Sequence, residues 1–181
     1  MMYGILGFLD RETEEKIDKL RDGMKKAGIA DYGMRPHVTI ATHNDLEVEL
    51  FKKEMEKYFM NQSAIQLFFP SIGMFLNSGT LYAAPTKDSN LTDFHTSYHE
   101  RFKGVIDPKS LYAPSQWVPH CTIASHLTHE KLVEAFDYSV KHLGPFTARI
   151  ESVELLELVF DEDVCTDMKD LFTVDLKRFN S

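Results

Sequence analysis

Cysteine is scarce in this chain, which contains only two cysteines in 181 residues. Cys121 lies in an apolar stretch and Cys165 in an acidic one, and neither has the spacing of a metal ligand. This count excludes a fold built on disulfide bonds and indicates free thiols in a reducing compartment.

Long apolar runs are also missing, because no stretch of about 18 apolar residues is present that could span a bilayer. The apolar run from Tyr3 to Leu9 lacks the basic leader and the length of a signal peptide. We therefore expect a cytoplasmic protein with no membrane partner.

Basic residues are too few to favour a long nucleic acid as a partner. The chain has 20 Lys and Arg against 28 Asp and Glu, a formal net charge of −8. Affinity for a phosphate backbone comes mostly from its neutralisation by Lys and Arg, so a long nucleic acid is a poor partner. A small or terminal substrate remains compatible with this charge, and nothing in the sequence requires a protein partner.

The chain has a globular composition, 43% apolar and 27% charged, and its apolar residues follow alternating strand and helix patterns. The order strand, helix, strand, helix, strand, strand occurs twice, and the strand at 80–84 ends the first round and opens the second. Runs of strands with helices on one face of each sheet are typical of the α+β class. The apolar stripe of the last predicted helix runs through Leu132, Phe136, Val140 and Leu143.

An internal repeat supports this duplication. Residues 36–43 read PHVTIATH and residues 119–126 read PHCTIASH, so six of eight positions are identical at an offset of 83. Such repeats indicate two copies of one structural unit. We predict a single domain, residues 1–181, made of two lobes from the approximate repeats 1–84 and 80–181. The predicted fold is bilobal, with two antiparallel-rich sheets flanked by helices around a central cleft and related by a pseudo-twofold axis.

The repeated motifs carry a specific set of chemical groups. On a strand, residues i and i+2 share a face, so His37 lies beside Thr39, and His120 lies beside Thr122. Two histidines and two threonines meeting at one cleft could supply a base, an acid and two hydrogen-bond donors to a phosphate ester. A single motif of this kind would indicate no more than a strand with one polar face, but its repetition favours the catalytic interpretation.

These motifs resemble those of the 2H phosphoesterase superfamily, in particular its bacterial 2'-5' RNA ligase-like and RNA 2',3'-cyclic phosphodiesterase-like members. The resemblance includes the opening YGILGFLDRETEEKI, the strand LYAAP and the segment YAPSQWVPHCTIA. It implies metal-independent hydrolysis or formation of phosphodiesters that involve a ribose 2'-oxygen, without a cofactor. It also implies that His37, Thr39, His120 and Thr122 are catalytic. Relatives that are cyclic phosphodiesterases often have a basic residue where this chain has Ser125.

Further residues are candidates for substrate binding. Arg35 could contact a phosphate or be a solvated turn residue, and Tyr82 could stack on a nucleobase, as could Tyr112 and Trp117. Trp117 is an odd number of residues from His120, which favours the core. His43 and His126, at equivalent places in the two motifs, could extend the phosphate site if no bulge intervenes, or could be polar strand ends. The remaining histidines are expected at the surface: His95, His99, His129 and His142.

The expected function is a phosphoesterase acting on 2',3'-cyclic phosphate or 2'-5' phosphodiester bonds of a nucleotide or short RNA end. One alternative is a non-catalytic module that binds a nucleotide or RNA end in the same cleft. Another is a metal-binding sensor, but no acidic ligand accompanies the histidines and their spacing is not that of a common metal site. We expect no metal at the site.

Overall fold

A computed structural model describes residues 1–106, 110–161 and 164–178. It contains four helices and eight strands among these residues. In chain order they are β1 (Met2–Leu9), α1 (Arg11–Lys26), β2 (His37–Asn44), α2 (Val48–Phe59), β3 (Ile65–Phe69), β4 (Ser71–Phe75), β5 (Thr80–Ala84), α3 (Ser89–Arg101), β6 (Cys121–Ala124), α4 (His129–His142), β7 (Phe146–Asp161) and β8 (Val164–Asp175).

The strands form two antiparallel sheets, which confirms the predicted α+β class. The first sheet has the order β2-β1-β7-β3, with β8 also paired to β7, and the second has the order β4-β5-β6. α2 and α3 pack on the first sheet, against β8 and β3, and together they form the first lobe. α1 and α4 pack on the second sheet, against β6 and β5, and form the second lobe; α1 also reaches β7. Both motif strands, β2 and β6, are edge strands, and they approach each other where the lobes meet.

The chain does not divide cleanly between the sheets. β3 belongs to the first sheet, and β4, which follows after Pro70 alone, belongs to the second. Proline has no N–H to donate to a strand ladder, so pairing is interrupted at that residue. β7 and β8 then return to the first sheet. The lobes are therefore interleaved by their strands.

Side-chain caps fix the helix starts that position the motif strands. Asp10 accepts a hydrogen bond from the N–H of Thr13 at 3.1 Å, and Asp88 accepts one from the N–H of Leu91 at 2.9 Å. Each cap satisfies a backbone donor that has no partner within the first turn of its helix. The helices that precede β2 and β6 thus start in the same way.

The expectation that His95 and His99 lie at the surface is wrong. His95 and His99 are buried, with 1% and 7% of their surfaces exposed, because both lie on the inner face of α3. Both Nε2 atoms lie 3.1 Å from the carbonyl oxygen of Ile40, to which they donate. On α4, Phe136 and Val140 are exposed, and the helix buries the smaller Ala135 and Ser139 instead.

Trp117 is buried, as predicted from its odd separation from His120 in the sequence. Its ring stacks on the His95 ring at 3.7 Å between centroids. Exposure of His129 and His142 is confirmed. Within the described part of the chain, no helix is both long enough and apolar enough to cross a membrane.

Candidate active site

A β-bulge interrupts each motif strand at the same place. In β2, Ala41 pairs with Ile5 and Thr39 with Leu6, so Ile40 is an extra residue. In β6, Ala124 pairs with Leu81 and Thr122 with Tyr82, so Ile123 is an extra residue. Each bulge reverses the alternation of faces along the rest of its segment.

The bulges decide which residues face the cleft. In the first motif His37, Thr39 and Thr42 are half-buried, while the residues between them are buried. In the second motif the half-buried set is His120, Thr122 and Ser125. Each motif therefore presents one imidazole and two hydroxyl groups on one face.

His43 is not part of this face. Beyond the bulge its side chain turns into the core, where none of its surface is exposed, and it bonds to the Tyr98 hydroxyl at 2.6 Å and the Val105 carbonyl at 3.0 Å. The proposal that His43 extends the phosphate site is therefore corrected. Its equivalent, His126, follows β6, has a φ of 58° and is exposed.

The two motif histidines are held in the same way. The Nδ1 atom of His37 lies 2.7 Å from the carbonyl oxygen of Arg35, and that of His120 lies 2.7 Å from the carbonyl oxygen of Val118. A carbonyl can only accept, so each Nδ1 carries the hydrogen and donates it. In the neutral imidazole, each Nε2 is consequently left with its lone pair free for a reacting group.

Burial favours the neutral form of both rings. The pKa of His37 is lowered to about 4, mainly by desolvation; the hydrogen bond to the Arg35 carbonyl opposes this lowering, and the charges of His120, Arg21 and Arg35 add to it. Desolvation also lowers the pKa of His120 below its usual value. β2 and β6 contact each other, so the two motif strands lie next to each other where the lobes meet.

A cavity of about 600 Å³ extends from the second motif. Its wall combines apolar and hydroxyl-bearing side chains, among them Phe75, Thr80, Tyr112, His120, Thr122 and Ser125. The Ser125 hydroxyl lies 3.0 Å from the Thr80 hydroxyl. Among the described residues, those lining this cavity include no Lys or Arg.

Aromatic rings support His120. Its ring lies 4.8 Å from the Phe75 ring, edge to face, and 5.3 Å from the Tyr82 ring. Tyr82 in turn packs on Gly73, where an added Cβ would lie 2.6 Å from the phenol ring. Tyr82 thus lies beside the second motif, and its ring contact in this structure is with the histidine.

Arg35 lies near His37 but is held by two carboxylates. Its Nε lies 2.8 Å from Glu14, its Nη1 lies 2.9 Å from Glu154, and its guanidinium stacks on Phe8 at 4.0 Å from the ring centroid. The Phe8 ring also contacts His37, at 5.9 Å between centroids. These contacts compensate the charge of Arg35.

Strand alternation alone did not predict that Thr42 shares a face with His37 and Thr39, where its hydroxyl lies 2.9 Å from that of Ser110. Thr42 and Ser125 occupy equivalent places, and both carry a hydroxyl. Strict alternation along the strand placed them on the wrong face. No group of three His, Cys, Asp or Glu side chains within residues 1–106, 110–161 and 164–178 is arranged to hold a metal ion.

The chain is similar in fold to several solved structures. It matches E. coli LigT complexed with 3'-AMP at 14% identity and a TM-score of 0.65, covering 96% of this chain and 97% of that chain. It matches TT0787 of Thermus thermophilus at 12% identity and a TM-score of 0.68, covering 98% and 99%. It matches Kluyveromyces marxianus Usb1 with uridine monophosphate at 9% identity and a TM-score of 0.53, covering 97% and 98%.

At these identities the structural likeness establishes the fold alone. A comparison with curated proteins finds no match. The family model described as the 2'-5' RNA ligase superfamily matches residues 9–161, a range that contains both repeated motifs. This match covers most of the chain and confirms the resemblance found in the sequence. The chain therefore belongs to the 2'-5' RNA ligase superfamily.

Proposed function

We propose that this protein hydrolyses phosphodiesters involving a ribose 2'-oxygen, with His37 and His120 as its acid–base pair. Membership of the superfamily supports a phosphoesterase that acts on RNA-related substrates. The observation that carries the finer proposal is the matched pair of imidazoles, each with Nδ1 bound to a backbone carbonyl and Nε2 left for the substrate.

In the proposed reaction, the Nε2 atom of one neutral imidazole takes a proton from water as the water oxygen attacks phosphorus. The bond from phosphorus to the leaving ribose oxygen breaks, and the Nε2–H of the other, protonated imidazole gives its proton to that oxygen. Each carbonyl that accepts from Nδ1 also stabilises the imidazolium form. Thr39 and Thr122 donate hydrogen bonds to the non-bridging oxygens as charge develops on them.

Both imidazoles are neutral by preference in the free protein, so one of them must gain a proton before turnover. A bound phosphodiester carries one negative charge, and an opposite charge nearby favours the imidazolium. The substrate thereby supplies part of the driving force for protonating its own general acid.

The substrate class that we favour is a nucleotide or short RNA end with a 2',3'-cyclic phosphate or a 2'-5' linkage. The solved structures of LigT and Usb1, which are similar in fold, contain 3'-AMP and uridine monophosphate, respectively. The absence of Lys and Arg from the described lining of the cavity argues against a long phosphate backbone. We propose that residues 1–181 act as a single domain, because each lobe provides one histidine. The proposed steps use no cofactor and no protein partner.

The test is turnover of 2',3'-cyclic nucleotides and 2'-5'-linked dinucleotides, with 3'-5' dinucleotides as the matched substrate control. We expect His37→Ala and His120→Ala each to lower kcat by about 10²–10⁴-fold, the usual contribution of a positioned acid or base. His129→Ala, an exposed histidine at the start of α4, should keep full activity. Wild-type turnover in either histidine variant, with the fold intact, would refute the proposal.

The same assay separates the alternatives. Tight binding of a nucleotide with no turnover of any substrate would instead support a non-catalytic binding module. Complete loss of activity in EDTA that a divalent cation restores would support a metal-dependent site.

A further inference from the structure

Thr42, which the bulge in β2 places on the same face as His37 and Thr39, stands at the end of a chain of hydrogen bonds. The backbone N–H of Tyr112 donates to the Ser110 Oγ at 3.2 Å, and the Ser110 Oγ lies 2.9 Å from the Thr42 Oγ1. Ser110 is buried, whereas Thr42 is half-buried. The chain therefore runs from an interior hydroxyl to one that a ligand can reach.

Ser125, the equivalent residue of the second motif, ends a chain of the same kind. The Ser78 hydroxyl donates to the Thr80 Oγ1 at 2.9 Å, and the Thr80 Oγ1 lies 3.0 Å from the Ser125 Oγ. Thr80 is buried and Ser125 is half-buried. In each motif, a buried hydroxyl thus connects a donor to the hydroxyl that follows the bulge. We call Thr42 and Ser125 the cleft hydroxyls.

The direction of each chain follows from a count of hydrogens. A hydroxyl group has one hydrogen to donate, and its oxygen can also accept. Ser110 and Thr80 each accept a bond from a donor outside the pair, so each keeps its own hydrogen for the neighbouring cleft hydroxyl. Bonds in a chain polarise one another, so a hydroxyl that accepts becomes a stronger donor. The hydrogens of the cleft hydroxyls are then left for a ligand.

Both chains adjoin the cavity beside His120. Ser78, Thr80 and Ser125 line this cavity, and so does Tyr112, whose N–H begins the first chain. The described lining has no Lys or Arg, so an anionic oxygen that enters the cavity is met by neutral donors. Hydroxyl groups that are already oriented are suited to this task, because they need little reorganisation when the ligand binds.

We propose that Thr42 and Ser125 bind the phosphate oxygens of the substrate, and that Ser110 and Thr80 are positioning residues that aim these two hydroxyls. This inference rests on the proposed function, because the ligand is the phosphodiester on which the two motif histidines would act. Four hydroxyl groups, two from each motif, then donate to the two non-bridging oxygens of that phosphodiester. A binding group is effective only when its neighbours hold it close to the productive geometry.

The test begins with kcat/KM for a 2',3'-cyclic nucleotide. Thr42→Val and Ser125→Ala should each lower kcat/KM by about 10–100-fold, the usual effect of losing a hydrogen bond to a charged group. Ser110→Ala and Thr80→Val should each lower it by about 3–10-fold, because the cleft hydroxyl remains but is no longer aimed.

Double-mutant cycles test the connection within each chain. In the Thr42→Val background, Ser110→Ala should have no further effect, because no cleft hydroxyl remains for it to aim. In the Ser125→Ala background, Ser110→Ala should keep its full effect. Thr80→Val should show the reverse pattern, without further effect in Ser125→Ala and with its full effect in Thr42→Val.

Two variants control for effects on the fold. Thr80→Ser keeps the hydroxyl and should keep wild-type activity, so a loss equal to that of Thr80→Val would contradict the role of this hydroxyl. Ser139→Ala removes a buried serine hydroxyl on α4 that belongs to neither chain, and it should keep full activity. If Ser110→Ala does not fold because the Tyr112 N–H has lost its acceptor, the cycle with Thr80 decides the question.

The outcomes distinguish this inference from the proposed function. Absence of turnover in the wild type, or full activity of His37→Ala, would overturn the proposed function. If turnover depends on both histidines but Thr42→Val or Ser125→Ala keeps full activity, that cleft hydroxyl does not bind the substrate. Effects of Ser110→Ala and Thr80→Val that are the same in both backgrounds would overturn the positioning role.

Discussion

The buried His43 predicts a loss of stability in mild acid. Its Nδ1 donates to the Val105 carbonyl oxygen, so its Nε2 must accept from the Tyr98 hydroxyl at 2.6 Å. Protonation of Nε2 would place two donors against each other in the core. The pKa of His43 is lowered to about 4, mainly by desolvation; the hydrogen bond to the Val105 carbonyl opposes this lowering, and His99 adds to it.

The magnitude follows from the linkage between protonation and unfolding. The unfolded chain binds a proton at His43 near pH 6.5, whereas the folded protein does so only near pH 4. The stabilisation is therefore complete above about pH 6.5 and is lost as the pH falls towards 4. Two and a half pH units correspond to about 3 kcal/mol in full, of which about 2 kcal/mol is lost between pH 8 and pH 5.

The assay is urea unfolding of the wild type and His43→Leu at pH 8, 7, 6 and 5. His43→Leu should be less stable at pH 8 by about 1–3 kcal/mol, because the Tyr98 hydroxyl loses its acceptor. Leucine cannot be protonated, so the variant does not lose this stability in acid. The difference in free energy of unfolding between the wild type and His43→Leu, here called the gap, should therefore shrink by about 2 kcal/mol at pH 5. His126→Asn, at the equivalent exposed position of the second motif, is the control and should follow the wild type at every pH. A gap that stays constant from pH 8 to pH 5 would refute the reasoning.

Two further predictions concern the active site. Because burial lowers the pKa values of both His37 and His120 in the free protein, kcat/KM should have its optimum below pH 6.5 and fall at neutral and alkaline pH as the acid loses its proton. An alkaline limb with its midpoint above pH 7 would contradict this. Gly73→Ala should displace the Tyr82 ring that supports His120, lowering kcat/KM and costing about 1–3 kcal/mol of stability. Gly104→Ala, where an added Cβ meets nothing within 4 Å, is the control, and an equal loss in both variants would count against the Tyr82 contact.

The order of elements could be predicted because it depends on local patterns. Helix starts at Asp10, Asp88 and Thr128 follow from capping chemistry that is visible in the sequence. The assignment of β3 and β4 to different sheets could not be predicted, since strand pairing is made with residues far along the chain. Pro70 marks the break between β3 and β4, but it does not reveal which sheet each strand joins.

Residue type alone does not reveal which side chains of α3 and α4 are buried. His95 has the spacing of the apolar stripe on α3, four residues after Leu91 and three before Tyr98, and a histidine is readily buried when its nitrogens are bonded. On α4 the large apolar residues predicted a wide buried face. The helix packs instead through Ala135 and Ser139, small side chains that allow close approach.

The repeat was sufficient to find His37 and His120, because a pair of matching motifs can be recognised without knowledge of the path of the chain. The repeat was not sufficient to decide on which face of its strand each of the last motif residues lies. A single extra residue, Ile40 in one strand and Ile123 in the other, exchanges the two faces of the strand beyond it. Strict alternation is broken at the same place in both motif strands. As a consequence, Thr42 and Ser125 lie on the same face as the histidine and threonine of their own motif.

The two motif strands resemble each other as far as the bulges, and their surroundings differ beyond them. Up to the bulge, the two strands present the same histidine and threonine to the cleft, held by the same type of carbonyl contact. Beyond it, His43 enters the core of the protein, whereas the segment after β6 turns at His126 through a positive φ and leaves that ring in solvent. Identical residues therefore have different surroundings because β2 continues through His43 to Asn44, whereas β6 ends at Ala124, before His126. Sequence identity at an offset of 83 predicts a common environment only for the residues that lie in both strands.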